Sequence, residues 1–275
     1  METSALEVRG LSHTFRRGGP NEVAALQGID LTLDAGAFVV VFGPNGSGKS
    51  TLLAAVAGDF VPDSGSIRLG GIDVTRKPGH ERARTIGRVS QAPSAGTAPT
   101  LTVAENLALA GLRAARASGL RAALTTDTRR QLADRVAELR MGLEDRLDTP
   151  MGQLSGGQRQ ALTLLMATLV RPGILLLDEH MAALDPRSAD LVLGLTQEMI
   201  VRDRLTVLMV SHSMQQVVRL GDRAVMMHRG RIVQDFSGAR KRRLRVEELL
   251  DCFEEVRNAD LLDESAAAML ARSYV

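Results

Sequence analysis

The stretch Gly43-Pro44-Asn45-Gly46-Ser47-Gly48-Lys49-Ser50 constrains this chain more than any other. It follows the apolar run Ala37 to Phe42 and precedes Thr51-Leu52-Leu53-Ala54-Ala55-Val56-Ala57, which suits a helix. A buried strand that passes through a glycine turn into a helix aims several backbone N–H groups, and the positive end of the helix dipole, at one point. A phosphate fits there. The glycines let the backbone close around phosphate oxygens, Lys49 neutralises β- and γ-phosphate charge, and the Ser50 hydroxyl can complete the shell of a Mg²⁺ ion, with Thr51 next to it counted among the nucleotide-binding residues. The alternative is a surface turn of small residues, which the flanking strand and helix disfavour. The pattern implies a bound nucleoside triphosphate.

Lysine is scarce, with only Lys77 and Lys241 besides Lys49, so a lysine inside a glycine loop stands out. The 275 residues are enough for one or two domains, and 34 basic against 32 acidic residues leave a net charge of +2, too small to argue for a nucleic-acid partner. The single cysteine, Cys252, excludes an internal disulfide and a cysteine-based zinc cluster. No run reaches the roughly 18 apolar residues of a membrane span, and Met1 to Ser4 does not begin a signal peptide. A cytosolic setting is the default expectation.

Along the chain, Leu6 to Val8 and Leu11 to Phe15 read as strands that begin an antiparallel pair, and Ile29 to Leu33 alternates as a half-buried strand does. Ser66 to Leu69 and Ile86 to Gln91 are further strands. From residue 93 to about 150 the texture becomes helical, with Leu132, Val136, Leu139 and Leu143 at helical spacing; continued through the next helix to about 172, this is a helical subdomain inserted in an α/β core. The continuous apolar runs Ile174 to Leu177 and Thr206 to Val210, like that before Gly43, suit parallel strands covered by helices on both faces. Their polar ends should converge, because ligands of open α/β sheets sit at the carboxyl ends of the strands.

Asp178 and Glu179 close one such run. An acidic residue there is costly unless it meets a cation, so Asp178 is assigned to the Mg²⁺ shell and Glu179 to general base or water positioning; a plain acidic helix cap is the alternative. Leu154-Ser155-Gly156-Gly157-Gln158 precedes the apolar stretch from Arg159 to Val170. Ser155 can cap that helix while the glycines expose N–H groups, which makes a second anion-binding surface.

Gly43 to Ser50, Gln91, Leu154 to Gln158, Ile174 to Glu179, Ala183-Leu184-Asp185 and His212 resemble, in order, the Walker A loop, Q-loop, signature motif, Walker B strand, D-loop and H-loop of the ATP-binding cassette (ABC) ATPases. The resemblance covers roughly residues 5–235, with 236–275 as a C-terminal helical tail. It implies an α/β fold with a mainly parallel core sheet around the phosphate loop, an N-terminal antiparallel β subdomain and the inserted helical subdomain. It further implies ATP hydrolysis with Mg²⁺ by a head-to-tail dimer, in which Ser155, Gly156 and Gly157 of one subunit meet the γ-phosphate held by Lys49 of the other. Gln91 would then sense Mg²⁺ and the attacking water and begin the segment facing a membrane partner. His212 would hold the γ-phosphate and orient Glu179, Asp185 would bridge the two nucleotide sites, and Phe15 would stack on adenine. The bland alternatives are a capping histidine and a core phenylalanine. One departure is His180-Met181, where many members of the family have proline and threonine after the glutamate.

Lacking a membrane span, the chain would serve separate transmembrane permease subunits, with an extracytoplasmic solute-binding protein, at the cytoplasmic face of the plasma membrane. The run from Asp178 to Pro186 and the tail Leu244 to Leu250 resemble ATPase subunits of tryptophan- or tyrosine-type uptake systems. Rival expectations are an exporter or lipoprotein-extraction ATPase, and a soluble cassette acting on ribosomes or DNA. A GTPase is disfavoured because no asparagine is followed by lysine. The basic cluster Arg240 to Arg243 with Arg245 reads as a solvated charged turn, with a lipid-facing patch as the alternative.

Overall fold

The computed structural model describes residues 4–92, 94–113, 124–256 and 258. An antiparallel sheet runs in the order β2-β1-β4-β5, with β1 Leu6–Phe15, β2 Val23–Leu33, β4 Ser64–Leu69 and β5 Ile72–Asp73. The two N-terminal strand segments are one strand: Gly10, at φ 56°, joins them where the register with β2 slips. Ile29, Leu31 and Leu33 turn inward while Asp30 and Thr32 face out, as their alternation requires.

The second sheet has the order β10-β9-β3-β8-β7-β6, comprising β3 Phe38–Phe42, β6 Ile86–Val89, β7 Ile174–Asp178, β8 Val207–Val210, β9 Arg223–His228 and β10 Arg231–Ser237. All its pairings are parallel except that of β10 with β9. Its apolar runs are divided between two cores by the period-two pleat. Val40, Phe42, Leu175, Leu177, Val207 and Met209 enter one core, and Val39, Val41, Ile174, Leu176, Leu208 and Val210 enter the other.

The first core is helical, formed with α3 Val103–Gly111, α4 Thr126–Ala137, α5 Gly156–Leu169 and α6 Pro186–Asp203. The second differs from the expectation of helices on both faces. It is filled by α1 (Lys49–Ala57) and by the inner face of the antiparallel sheet. Wedged between two sheets, α1 is wholly apolar after its first turn, with Leu52, Leu53 and Val56 fully buried. The short helices α2 Gly79–Arg82, α7 Met214–Arg219 and α8 Gly238–Arg243 complete the named elements.

Leu132, Val136, Leu139 and Leu143 are all buried, yet α4 ends at Ala137. The last two are carried by a turn in which Arg140 takes φ 54°. Beyond β10, residues 246–256 are helical and dock on the first core through buried Leu249 and the ring of Phe253, 6.1 Å from that of Phe42. The basic cluster is not simply a solvated turn. Lys241 is buried and donates to the Val218 carbonyl at 2.9 Å, and Arg240 sits 4.3 Å over the Phe236 ring. The part of the expected helical tail past Asn258 lies outside the described residues.

Candidate nucleotide site

Four parallel strands deliver the motifs to one edge of the central sheet, since β3 ends just before Gly43, β7 at Asp178, β8 before Ser211-His212 and β6 shortly before Gln91. The phosphate loop needs glycine at two points for close approach. A Cβ on Gly43 would lie 2.0 Å from the Met227 carbonyl oxygen and one on Gly48 2.3 Å from that of Ala25, and both residues have positive φ. The loop is tied down where the Gly230 N–H donates to the Ser47 carbonyl at 3.0 Å. Lys49, buried, folds back so that Nζ donates to the carbonyls of Gly43 and Pro44, each at 2.9 Å. Burial lowers its pKa, and the carboxylates of Glu179 and Asp178 act the other way.

Ser50 Oγ donates to Asp178 Oδ1 at 3.0 Å, linking the first helix to the end of β7. Burial raises the Asp178 pKa, against the hydrogen bond from Ser50. Two hard oxygen donors fit Mg²⁺, and among the described residues no cluster of three or more acidic, histidine or cysteine side chains could hold a metal by itself.

Glu179 takes φ 45°, a conformation side chains adopt at a cost of about 1–3 kcal/mol unless the surroundings over-determine it. Its N–H donates to the Val210 carbonyl at 3.2 Å, and its Oε2 lies 3.2 Å from His212 Nδ1. The next residue, His180, is fully buried. Its Nε2 is 3.2 Å from Thr196 Oγ1, whose own hydrogen goes to the Val192 carbonyl, so Nε2 carries the proton and Nδ1 is left unpaired. Burial pushes the imidazole pKa down to about 4.

Ser155 caps α5, accepting from Gln158 N at 3.3 Å, while the Gln158 side chain accepts from Ser155 N at 3.2 Å. Gly157 is a contact residue: a Cβ there would fall 2.7 Å from Ser188 Oγ. Ser188 in turn donates its N–H to Asp185 Oδ1 at 3.0 Å, and these hydrogen bonds hold the exposed Asp185 carboxyl below its usual range. The signature turn and the start of α6 are thus one packed unit.

A cleft of about 950 Å³ is lined by Phe15, Arg16, Asn45, Lys49, Gln91 and Glu179, among others. Phe15, 40% exposed, is braced by His13 and Phe60, with ring centroids 4.6 and 5.6 Å away. Ser155, Gly156, Gly157, Gln158 and Asp185 do not line this cleft. Gln91 and Glu179 line the cleft with the phosphate loop, Asp178 joins it through Ser50 and His212 through Glu179, whereas no contact of this kind ties the Ser155 turn to that group among the described residues. Sequence reasoning passed over Gln160, a polar side chain fully buried within the apolar face of α5.

Residues 26–182 match the family described as ABC transporter. The chain belongs to that family. This ABC cassette binds ATP and hydrolyses it. It is 38% identical over 251 residues to a tyrosine transport ATP-binding protein of Clostridioides difficile, covering 90% of this chain and 98% of the relative. It is 36% identical to a lipoprotein-releasing system ATP-binding protein of Caulobacter vibrioides, over 82% of this chain and 93% of the relative. Among solved structures, it superposes with a TM-score of 0.71 at 25% identity on a dimeric ATP-binding cassette in a post-hydrolysis state bound to ADP and Pi, covering 84% of this chain and 98% of the other. Among the described residues, no helix is long and apolar enough to cross a membrane.

Proposed function

We propose that this cassette is the ATPase subunit of an importer for a small solute of the amino-acid class, an aromatic amino acid such as tyrosine first, closing as a head-to-tail dimer on two ATP to drive separate permease subunits. The observation that carries the reading is the near end-to-end match with the tyrosine transport ATP-binding protein. The cassette would sit at the cytoplasmic face of the membrane through its permease, fed by an extracytoplasmic binding protein, with residues from Gln91 to about Asn106 as the docking surface.

Bound Mg²⁺, held by Ser50 and Asp178, would supply charge neutralisation at the β- and γ-phosphates. Lys49 exchanges its two loop carbonyls for phosphate oxygens, a gain because charge-assisted bonds to an anion are stronger. Glu179 accepts a proton from the water that attacks the γ-phosphorus as the bond to the ADP oxygen breaks. His212, 3.2 Å from Glu179, orients that carboxylate and contacts the γ-phosphate, while Gln91 steadies the water. Phe15 offers its exposed face to adenine. Ser155, Gly156, Gly157 and Gln158, outside the subunit's own cleft, present the capped N-terminus of α5 to the partner's γ-phosphate, and Asp185 faces across the same interface.

Purification of the tagged cassette from its own membranes tests the transport assignment. An associated permease and binding protein whose aromatic amino-acid ligand stimulates ATP turnover in vesicles is the expected result. The match with the lipoprotein-releasing ATPase supports a second reading, and isolation with a lipoprotein-extraction complex would establish that one instead.

A further inference from the structure

Gln160 lies on α5, five residues beyond the Ser155 cap, and is fully buried. Its Nε2 donates to two backbone carbonyls, that of His180 at 2.6 Å and that of Ser90 at 3.2 Å. An amide nitrogen has two hydrogens, so this one is fully used. The acceptors are not arbitrary: Ser90 immediately precedes Gln91, and His180 immediately follows Glu179. One side chain of the signature helix thus holds the backbone beside both residues assigned to the attacking water.

The local backbone requires such a support. Glu179 is held in the left-handed region at φ 45°. On its N-terminal side it is tied to β8 through Val210, and the Ala182 N–H donates to the Glu179 carbonyl at 2.9 Å. The His180 ring is anchored to α6 through Thr196. The Gln160 bond fixes the His180 carbonyl as well, and the same nitrogen ties this turn to the strand end of β6.

We propose that Gln160 is a positioning residue for ATP hydrolysis, its carboxamide setting Gln91 and Glu179 relative to each other and to the signature helix. A displacement of α5 when a partner subunit engages Ser155 is thereby felt at both residues. This rests on the roles proposed for Gln91 and Glu179, and the test keeps the two apart.

The full-length cassette is compared with Gln160→Met, which keeps the volume and removes both donors, and with Gln160→Glu, which is isosteric. Steady-state ATP turnover, the affinity for a fluorescent ATP analogue and the unfolding midpoint are measured together. Expected for Gln160→Met is a fall in kcat of at least about tenfold, from misplacement of the reacting groups, with nucleotide affinity within about twofold of wild type. Burial keeps the pKa of the introduced carboxyl high in the second variant, so the protonated acid regains one donor, and the turnover of Gln160→Glu relative to wild type should rise as pH is lowered from about 8 to about 6. A kcat within about twofold of wild type in folded Gln160→Met overturns the proposal, as does a Gln160→Glu variant that matches Gln160→Met at every pH. Wild-type turnover in Glu179→Gln would instead overturn the assignment of Glu179 on which it rests.

Discussion

At the residue scale, two side chains that look alike in the sequence, His180 and His212, occupy opposite environments. His212 is largely exposed and faces Glu179, whereas His180 is fully buried and faces Thr196. With its folded pKa near 4 against about 6.5 unfolded, His180 binds its proton more readily in the unfolded chain. Its stabilising contribution is therefore complete above about pH 6.5 and is lost as pH falls toward 4, on the order of 3 kcal/mol in all. Urea unfolding at pH 7 and pH 5 should show a loss of stability that is markedly smaller in His180→Met than in wild type; equal losses would remove His180 as its source. Lys49 and Glu179 should fail in different ways. Lys49→Ala should lose at least about tenfold in ATP affinity. Glu179→Gln should bind ATP as wild type does yet turn over at least about 100-fold more slowly, and wild-type turnover there would rule out the general base.

At the scale of elements, the two helices whose N-termini are the proposed anion sites have their C-termini closed by arginines, a buried Arg82 and a half-buried Arg113. Arg82 donates to Ala55 and Val56 at the end of α1, and also to Lys77 and Thr75. Arg113 donates to Ala167 and Val170 at the end of α5, and to Ile86. A cation at that end satisfies the last carbonyls and opposes the negative pole of the dipole. Arg82→Met should remove a donor from four carbonyl groups, of which only that of Ala55 keeps another, the Gly58 N–H, and lower the urea stability by about 3–5 kcal/mol, and a loss under about 1 kcal/mol would mean that water takes its place.

Neither arginine was legible in the sequence, because a lone arginine in a mixed stretch shows no sign of its partners. The phosphate loop and the apolar strands were legible, since the glycines meet backbone at Gly43 and Gly48 and the runs must be buried on both faces. β9 and β10 were missed: Ala224 to Met227, though a buried run, holds only one β-branched residue, and β10 is an edge strand with a largely exposed face. The spacing of Leu139 and Leu143 overstated α4 because burial continued after the backbone had turned at Arg140. Gln160 had a readable signal, a glutamine where the helix pattern calls for an apolar residue, but its two acceptors come together only in the fold.

At the scale of the whole molecule, the two proposed anion-binding surfaces stand in different settings. The cleft contains Lys49 and Glu179, while the Ser155 turn lies outside its lining. Gly157 and Ser188 pack that turn against the start of α6, so Ser155 and Asp185 belong to one rigid surface available to a second copy. On this reading each working site is shared between two subunits. The decisive assay mixes two individually inactive variants, Lys49→Ala and Ser155→Arg. A head-to-tail mixed dimer combines both lesions in one site and leaves the other intact, so an equimolar mixture, about half of it mixed dimers with one sound site of two, should recover about a quarter of wild-type ATP turnover. Activity no greater than that of the two variants assayed alone would contradict the shared site.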